Sequence, residues 1–270
     1  MIRVTRRQVL GGSAAALVAA LHRAPRVFAQ SASAGPPAAQ LVEDLVAANR
    51  ILADQGVLDG YGHASARHDR DPARFLMSRS LAPELVTAAD ILEYDLDSEP
   101  VDARGRTSYL ERYIHGEIYR ARPDVQAVVH SHSPSVIPFG VTGVPLRPLY
   151  HMSAFLAAGA PVWDIRAAAG DTDMLVRTPA IGRALAGSLG SHAVVLMRGH
   201  GVVVVGSGLP HVVFRSVYTE VNARLQAQAM GLGGPVTYLS PEEARRAEGS
   251  VGGTLGRPWE LWKRKLRRDP

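Results

Sequence analysis

The chain contains no cysteine in its 270 residues. That single absence excludes disulfides, thiolate metal ligands and cysteine nucleophiles together. Residues 1–30 contain no Asp or Glu but carry Arg3, Arg6, Arg7, Arg23 and Arg26. The formal net charge of +5 resides there, because setting those five arginines aside leaves 25 basic against 25 acidic residues. A near-neutral body offers no basic field to a phosphate backbone, which excludes nucleic acid as a partner. No stable membrane anchor is present either: the apolar stretch from Val9 to Leu21 is too short to span a bilayer. Beyond the N-terminal region, internal repeats and low-complexity tracts are absent.

What is there begins with an address. Thr5-Arg6-Arg7-Gln8-Val9-Leu10 opens a twin-arginine pattern, followed by the modest apolar stretch, the basic flank of Arg23 and Arg26, and a Val27-Phe28-Ala29 cleavage site. The alternative is an amphipathic surface helix. The pattern predicts a signal peptide over 1–30 and export of the folded protein to the periplasm or beyond. Residues 31–39, rich in Ser, Ala, Gly and Pro, read as a disordered linker.

A hydrophobic content of 46% suits one domain of α/β size. Apolar spacing predicts helices over 40–55, 108–122, 179–189 and 210–230, the second stopped by Pro123, with a short helix or turn over 134–141. Strands are predicted over 62–68, 74–77, 91–96 and 125–130 and near 162–163 and 174–176; residues 194–205 form a hairpin folded at Gly199-His200-Gly201. Residues 236–270 read as a helical extension, whose basic run from Lys263 to Arg268, with Trp259 and Trp262, suggests a solvated helix or a subunit contact.

The most informative residues close two apolar runs. Ala127-Val128-Val129 leads into His130-Ser131-His132, and a second run leads into Arg198-Gly199-His200-Gly201. Residues i and i+2 of a strand point to one face, so His130 and His132 can offer two imidazoles to one divalent ion while His200 supplies a third. Three protein ligands leave a coordination position open, as catalysis needs. Satisfied core histidines are the bland alternative. Upstream, Glu111 and His115 sit one helical turn apart, as an exposed pair or, if turned inward, with Glu111 as acid/base or fourth ligand.

Taken with Glu111, the segment from Ile118-Tyr119-Arg120-Ala121-Arg122-Pro123-Asp124-Val125 through His130-Ser131-His132-Ser133-Pro134 and the Arg198-Gly199-His200-Gly201 turn resemble the class II aldolase/adducin family over roughly Leu41 to Met230, within a domain placed at 40–235. The resemblance implies a three-layer α/β/α fold with a largely antiparallel central sheet. It implies a cyclic homotetramer with active sites between subunits and one divalent ion per subunit on His130, His132 and His200, with zinc the first choice and iron, manganese or cobalt the alternatives. Glu111 falls at the family's catalytic carboxylate.

The departures bear on substrate. The phosphate-binding Gly-Asn-x-Ser motif of the family's aldolases reads Gly62-His63-Ala64-Ser65, its Thr-Gly pair falls near Arg79-Ser80, its small serines are Tyr109-Leu110, and its tyrosine acid falls at His151 beside Tyr150. His63, Ser65, Arg79, Ser80 and His115 are therefore expected to bind a small carboxylate rather than a phosphate, Arg79 through its guanidinium fork. Tyr150 and His151 are expected beside the reaction. The resemblance thus points to a metal-dependent decarboxylase of a hydroxylated aromatic or hydroxy/oxo acid, similar to 3,4-dihydroxyphthalate decarboxylases. An aldolase on an unphosphorylated hydroxy-keto acid, a non-haem iron oxygenase and a non-catalytic adducin-like module are the rivals.

Overall fold

The computed structural model describes residues 32–266, so the twin-arginine segment 1–30 and residues 267–270 lie outside the described residues. Residues 32–38, in the stretch whose composition reads as disordered, carry neither helix nor strand. They are tied to the body by Ser33 Oγ and the Ala34 N–H donating to Glu93, and by the Ala38 N–H donating to Asp69.

Helix α1 (Ala39–Asp54) buries Leu45, Ala48, Ile51 and Leu52 on one face and ends before Gly56, whose φ of +68° suits glycine. Three antiparallel strands follow: β1 (His63–Arg67), β2 (Arg74–Ser78) and β3 (Ile91–Asp95). Next come α2 (Tyr113–Ala121), β4 (Ala127–Ser131), the short α3 (Ile137–Val141), the two-residue β5 (Val162–Trp163) and α4 (Arg166–Ala169). Helix α5 (Pro179–Leu189) starts where Thr178 Oγ1 accepts the Ile181 N–H, with proline at its first position. The hairpin β6 (Val194–Met197) and β7 (Gly201–Gly206) leads into the long α6 (Leu209–Gly231), and α7 (Pro241–Gly252) and α8 (Gly256–Leu266) complete the described chain.

The strands form one seven-stranded sheet in the order β3-β2-β1-β4-β7-β6-β5, antiparallel except for β5 against β6. Period-two alternation divides its side chains between two cores. Ala64, Ala66, Ala127, Val129, Val202 and Val204 meet α1, α6 and α8, whereas Phe75, Met77, Val128, Val203 and Val205 meet α2 and α5. The result is the expected three-layer α/β/α arrangement.

Three elements differ from expectation. The helix expected over 108–122 begins only at Tyr113, after a 3₁₀ turn at Leu110–Arg112. Its first residues are pulled out of helical register where the Tyr109 hydroxyl donates to Leu81 O. No strand forms at 174–176, because Met174 adopts a φ of +71°, incompatible with extended pairing. The C-terminal helix is not a solvated one: Trp259 and Trp262 are buried in the α1/α6 core, and Lys263 Nζ bonds Asp44 Oδ1 at 2.9 Å. Amphipathic spacing hid this, since the tryptophans share one face of a helix whose other face is basic.

Candidate metal centre

Strand alternation brings the site together. His130 follows Val128 on the α2 side of β4, and its partner across the sheet on β1 is His63. His132 continues the same direction one residue beyond the strand, and His200 sits in the tight turn joining β6 to β7, held there by an ion pair of Arg198 Nε with Asp164 at 2.8 Å. Glu111 leaves the helical path in the 3₁₀ turn, with φ −92° and ψ 18°, and its carboxylate therefore aims at the histidines. Sharing a helical face with His115, as the spacing predicts, is not what occurs.

One ligand atom from each of Glu111, His130, His132 and His200 lies within 4.8 Å of the others. Glu111 Oε2 stands 3.5 Å from Nε2 of both His130 and His200, and the Nε2 atoms of His132 and His200 are 3.2 Å apart. Donors bonded tetrahedrally to a zinc-sized ion at about 2.1 Å are separated by about 3.4 Å, so the set fits a divalent cation. Nε2 of His130 is buried with no hydrogen-bond partner, a cost that an ion on that lone pair removes. The opposite nitrogens are braced: His130 Nδ1 donates to Val202 O at 3.2 Å and His200 Nδ1 to Met174 O at 2.9 Å, which leaves both Nε2 lone pairs for a metal. The Val176 N–H donates to Glu111 Oε1 at 3.0 Å. The segment expected as a strand at 174–176 thus supports two ligands through its main chain.

The four groups are electrostatically coupled. Burial, then the neighbouring His130 and His200, pushes His132 down to about 4, leaving it neutral and able to ligate. Burial opposes charge on Glu111, but His130 and His200 outweigh it and hold the carboxyl well below its usual range. Burial likewise opposes charge on His200, and there the Glu111 carboxylate wins and raises the value.

A cleft of about 340 Å³ opens beside the centre, lined among others by Tyr61, His63, Ser80, Tyr109, Glu111 and His132. Among the described residues, no Lys or Arg lines its wall. Arg79, expected to grip substrate, instead donates from Nε to Asp90 Oδ1 at 2.6 Å and lies off the cleft. Asp90 is anchored by Thr87 in the loop leading into β3, so a local salt bridge captures the guanidinium. Ser65 and His115 are completely buried behind His63 and do not face the cleft. His151 lines a separate surface depression with Phe214, Tyr218 and α7, the Tyr150 ring stands 6.4 Å from that of Tyr218, and neither residue lines the cleft beside the metal ligands. The sequence reading passed over Tyr61, whose 72% exposed ring stands 6.3 Å from that of His132. Its Gly60 and Gly62 neighbours were the available signal.

Residues 43–227 match the family described as Class II Aldolase and Adducin N-terminal domain. Among similar proteins, decarboxylase tropJ of Talaromyces stipitatus is 38% identical over 85% of this chain and 95% of that protein. A 3,4-dihydroxyphthalate decarboxylase of Arthrobacter keyseri is 30% identical over 84% and 92% respectively. The solved L-fuculose 1-phosphate aldolase of Glaciozyma antarctica superposes with a TM-score of 0.71 at 24% identity, covering 86% of this chain and 94% of that one. That structural likeness concerns the fold.

Proposed function

Because the chain belongs to the class II aldolase and adducin family, we propose that it is a lyase that decarboxylates a hydroxylated aromatic acid at a divalent metal ion held by His130, His132 and His200. The observation that carries the reading is the cleft: a metal-ligand cluster opens directly into a wall containing Tyr61, Leu81, Tyr109, Leu110 and Leu175 and no cationic side chain. Such a wall suits an aromatic ring and offers a phosphate no guanidinium or ammonium to pair with. The two relatives named as decarboxylases support the same reaction class.

Losing CO2 leaves an electron pair on carbon. The chain's two lysines, Lys263 and Lys265, both lie on α8, so no lysine is available for an imine sink. Bound at the cluster, a divalent ion supplies Lewis acidity to adjacent substrate oxygens. Glu111, poised at the edge of the cleft, moves the proton with its carboxylate, taking it from a substrate hydroxyl and returning it to the ring carbon. Tyr61 and Tyr109 orient the ring and exclude water. Zinc is the first choice of metal, with iron, manganese or cobalt as alternatives.

We further propose a cyclic homotetramer, in which Tyr150 and His151 serve a neighbour's cleft, and twin-arginine export. Light scattering tests the first. For the second, Arg6→Lys with Arg7→Lys should retain full-length protein in the cytoplasm.

The decisive assay is CO2 release from carboxylated catechols by enzyme loaded with each metal in turn. Aldehyde release from a hydroxy-keto acid, or oxygen consumption, in place of CO2 overturns the decarboxylase assignment.

A further inference from the structure

Behind the cleft wall lies a polar chain that the proposed chemistry does not use. His63 Nδ1 is 2.7 Å from His115 Nε2, His115 Nδ1 is 2.6 Å from Ser65 Oγ, and Ser65 Oγ is 2.8 Å from the Tyr119 hydroxyl. All four residues are buried. The Tyr119 ring is enclosed by Phe75 on one side and by the Arg67 guanidinium 4.7 Å from its centroid, and Arg67 is itself fixed by the carbonyls of Tyr119, Arg122 and Val125.

We infer that Tyr119 sets the tautomer of His63 through this one-way chain, so that His63 presents an Nε2–H donor, never a basic lone pair, to the cleft. The direction follows from counting hydrogens. A buried phenol must place its single hydrogen on an acceptor or bear the cost of an unmade bond. Among the described residues, Ser65 Oγ is the acceptor in reach of the Tyr119 hydroxyl. Ser65 therefore receives from Tyr119 and gives its own hydrogen to His115 Nδ1. His115, bare at Nδ1 and neutral in its buried setting, carries its hydrogen on Nε2 and donates it to His63 Nδ1. His63, bare at Nδ1, carries its hydrogen on Nε2. That nitrogen has no protein partner among the described residues, and its ring lines the cleft. Running the chain backwards strands the Tyr119 hydrogen.

Burial supports the neutral state of His115, pushing it down to about 3. Tyr119, Ser65 and His115 are thus positioning residues. His63 is selective for an acceptor oxygen, and on the decarboxylase reading that oxygen belongs to the substrate carboxylate, which finds here the directional donor that Arg79 does not supply.

The test is independent of turnover. Full-length protein labelled with ¹⁵N-histidine is examined by long-range proton–nitrogen correlation, with signals assigned by their loss in His63→Gln and His115→Gln. Bare Nδ1 and protonated Nε2 are expected in both rings, and a protonated Nδ1 on His63 overturns the inference. Tyr119→Phe, with folding checked by circular dichroism, should shift both Nδ1 resonances toward the protonated position as the two directions become equivalent. Unshifted resonances in that variant overturn it as well. If the tautomers hold while no CO2 is released from any catechol acid, the decarboxylase reading fails alone.

Discussion

Nε2 of His130 is buried without a partner, and the Glu111 Oε2 it faces stands 3.5 Å away. A charge-assisted hydrogen bond would close that gap to about 2.8 Å, so the two atoms are spaced for something between them. His130→Ala, His132→Ala and His200→Ala should each lose the bound ion in elemental analysis of purified protein. Chelation of the wild type should lower stability by about 2.7 kcal/mol relative to a free ion hundredfold above its Kd, seen as a fall of several degrees in Tm. Full occupancy in any one variant removes that residue from the ligand set.

Glu111→Gln keeps the shape and removes the basic oxygen. Turnover is expected to fall by roughly a hundredfold or more in a CO2-release assay. Its melting temperature in the apo state should stay close to that of the wild type, because the Val176 N–H still finds a carbonyl oxygen to bond.

Gly201 opens β7 where a Cβ would run into the carbonyl oxygen of Ser131 and crowd His132 Cα at 3.2 Å. Gly201→Ala should cost about 1 to 3 kcal/mol in urea unfolding through overpacking. It should weaken metal affinity as well, since it pushes β7 and its turn away from β4. Unchanged affinity would show that the two strands can part without moving the ligands.

His115 and His211 are held neutral down to about 3 and about 4, His115 by burial and then His130, His211 by burial and then Arg215. Both values lie below the 6.5 of a free imidazole, so on acidification the unfolded chain takes up these protons before the folded one. Their contribution to stability is complete above pH 6.5 and declines as the pH falls from there toward 4. Urea midpoints of the apoprotein should therefore drop between pH 7 and pH 5, above the carboxylate range. His211→Gln should drop less, and an identical slope in that variant would remove His211 from the account.

Strand alternation is strong enough in the sequence to put His130 and His132 on one face, because a buried β-strand writes its period directly into its residues, and the structure brings His200 to them from the β6–β7 turn. The seven strands of the sheet are readable from the same period, and α1, α5 and α6 from helical apolar spacing. Glu111 was identified, but its geometry was not: the spacing from His115 implied a shared helical face, and only a tertiary bond from Tyr109 to Leu81 breaks that helix. Arg79 was misplaced because the local pairing with Asp90 depends on how the β2–β3 connection folds, which no spacing reveals. Tyr119 could have been found, since it stands one turn after His115 in α2 and the two converge on Ser65. The bracing by Met174 and Val176 could not, because main-chain donors and acceptors leave no trace in residue identity.

The four metal-directed side chains come from distant stretches of chain: the turn at Leu110–Arg112, the end of β4, and a hairpin tip that β4 meets only through β7. They converge once β4 and β7 have paired along the middle of the sheet, so an ion finds no site in an early collapsed chain. Its grip is absent from the folding barrier and present in the finished structure. Interactions of that kind leave the rate of folding alone and slow the rate of unfolding. An ion bound to these residues would therefore set how long a folded molecule lasts, with little influence on how quickly one is made.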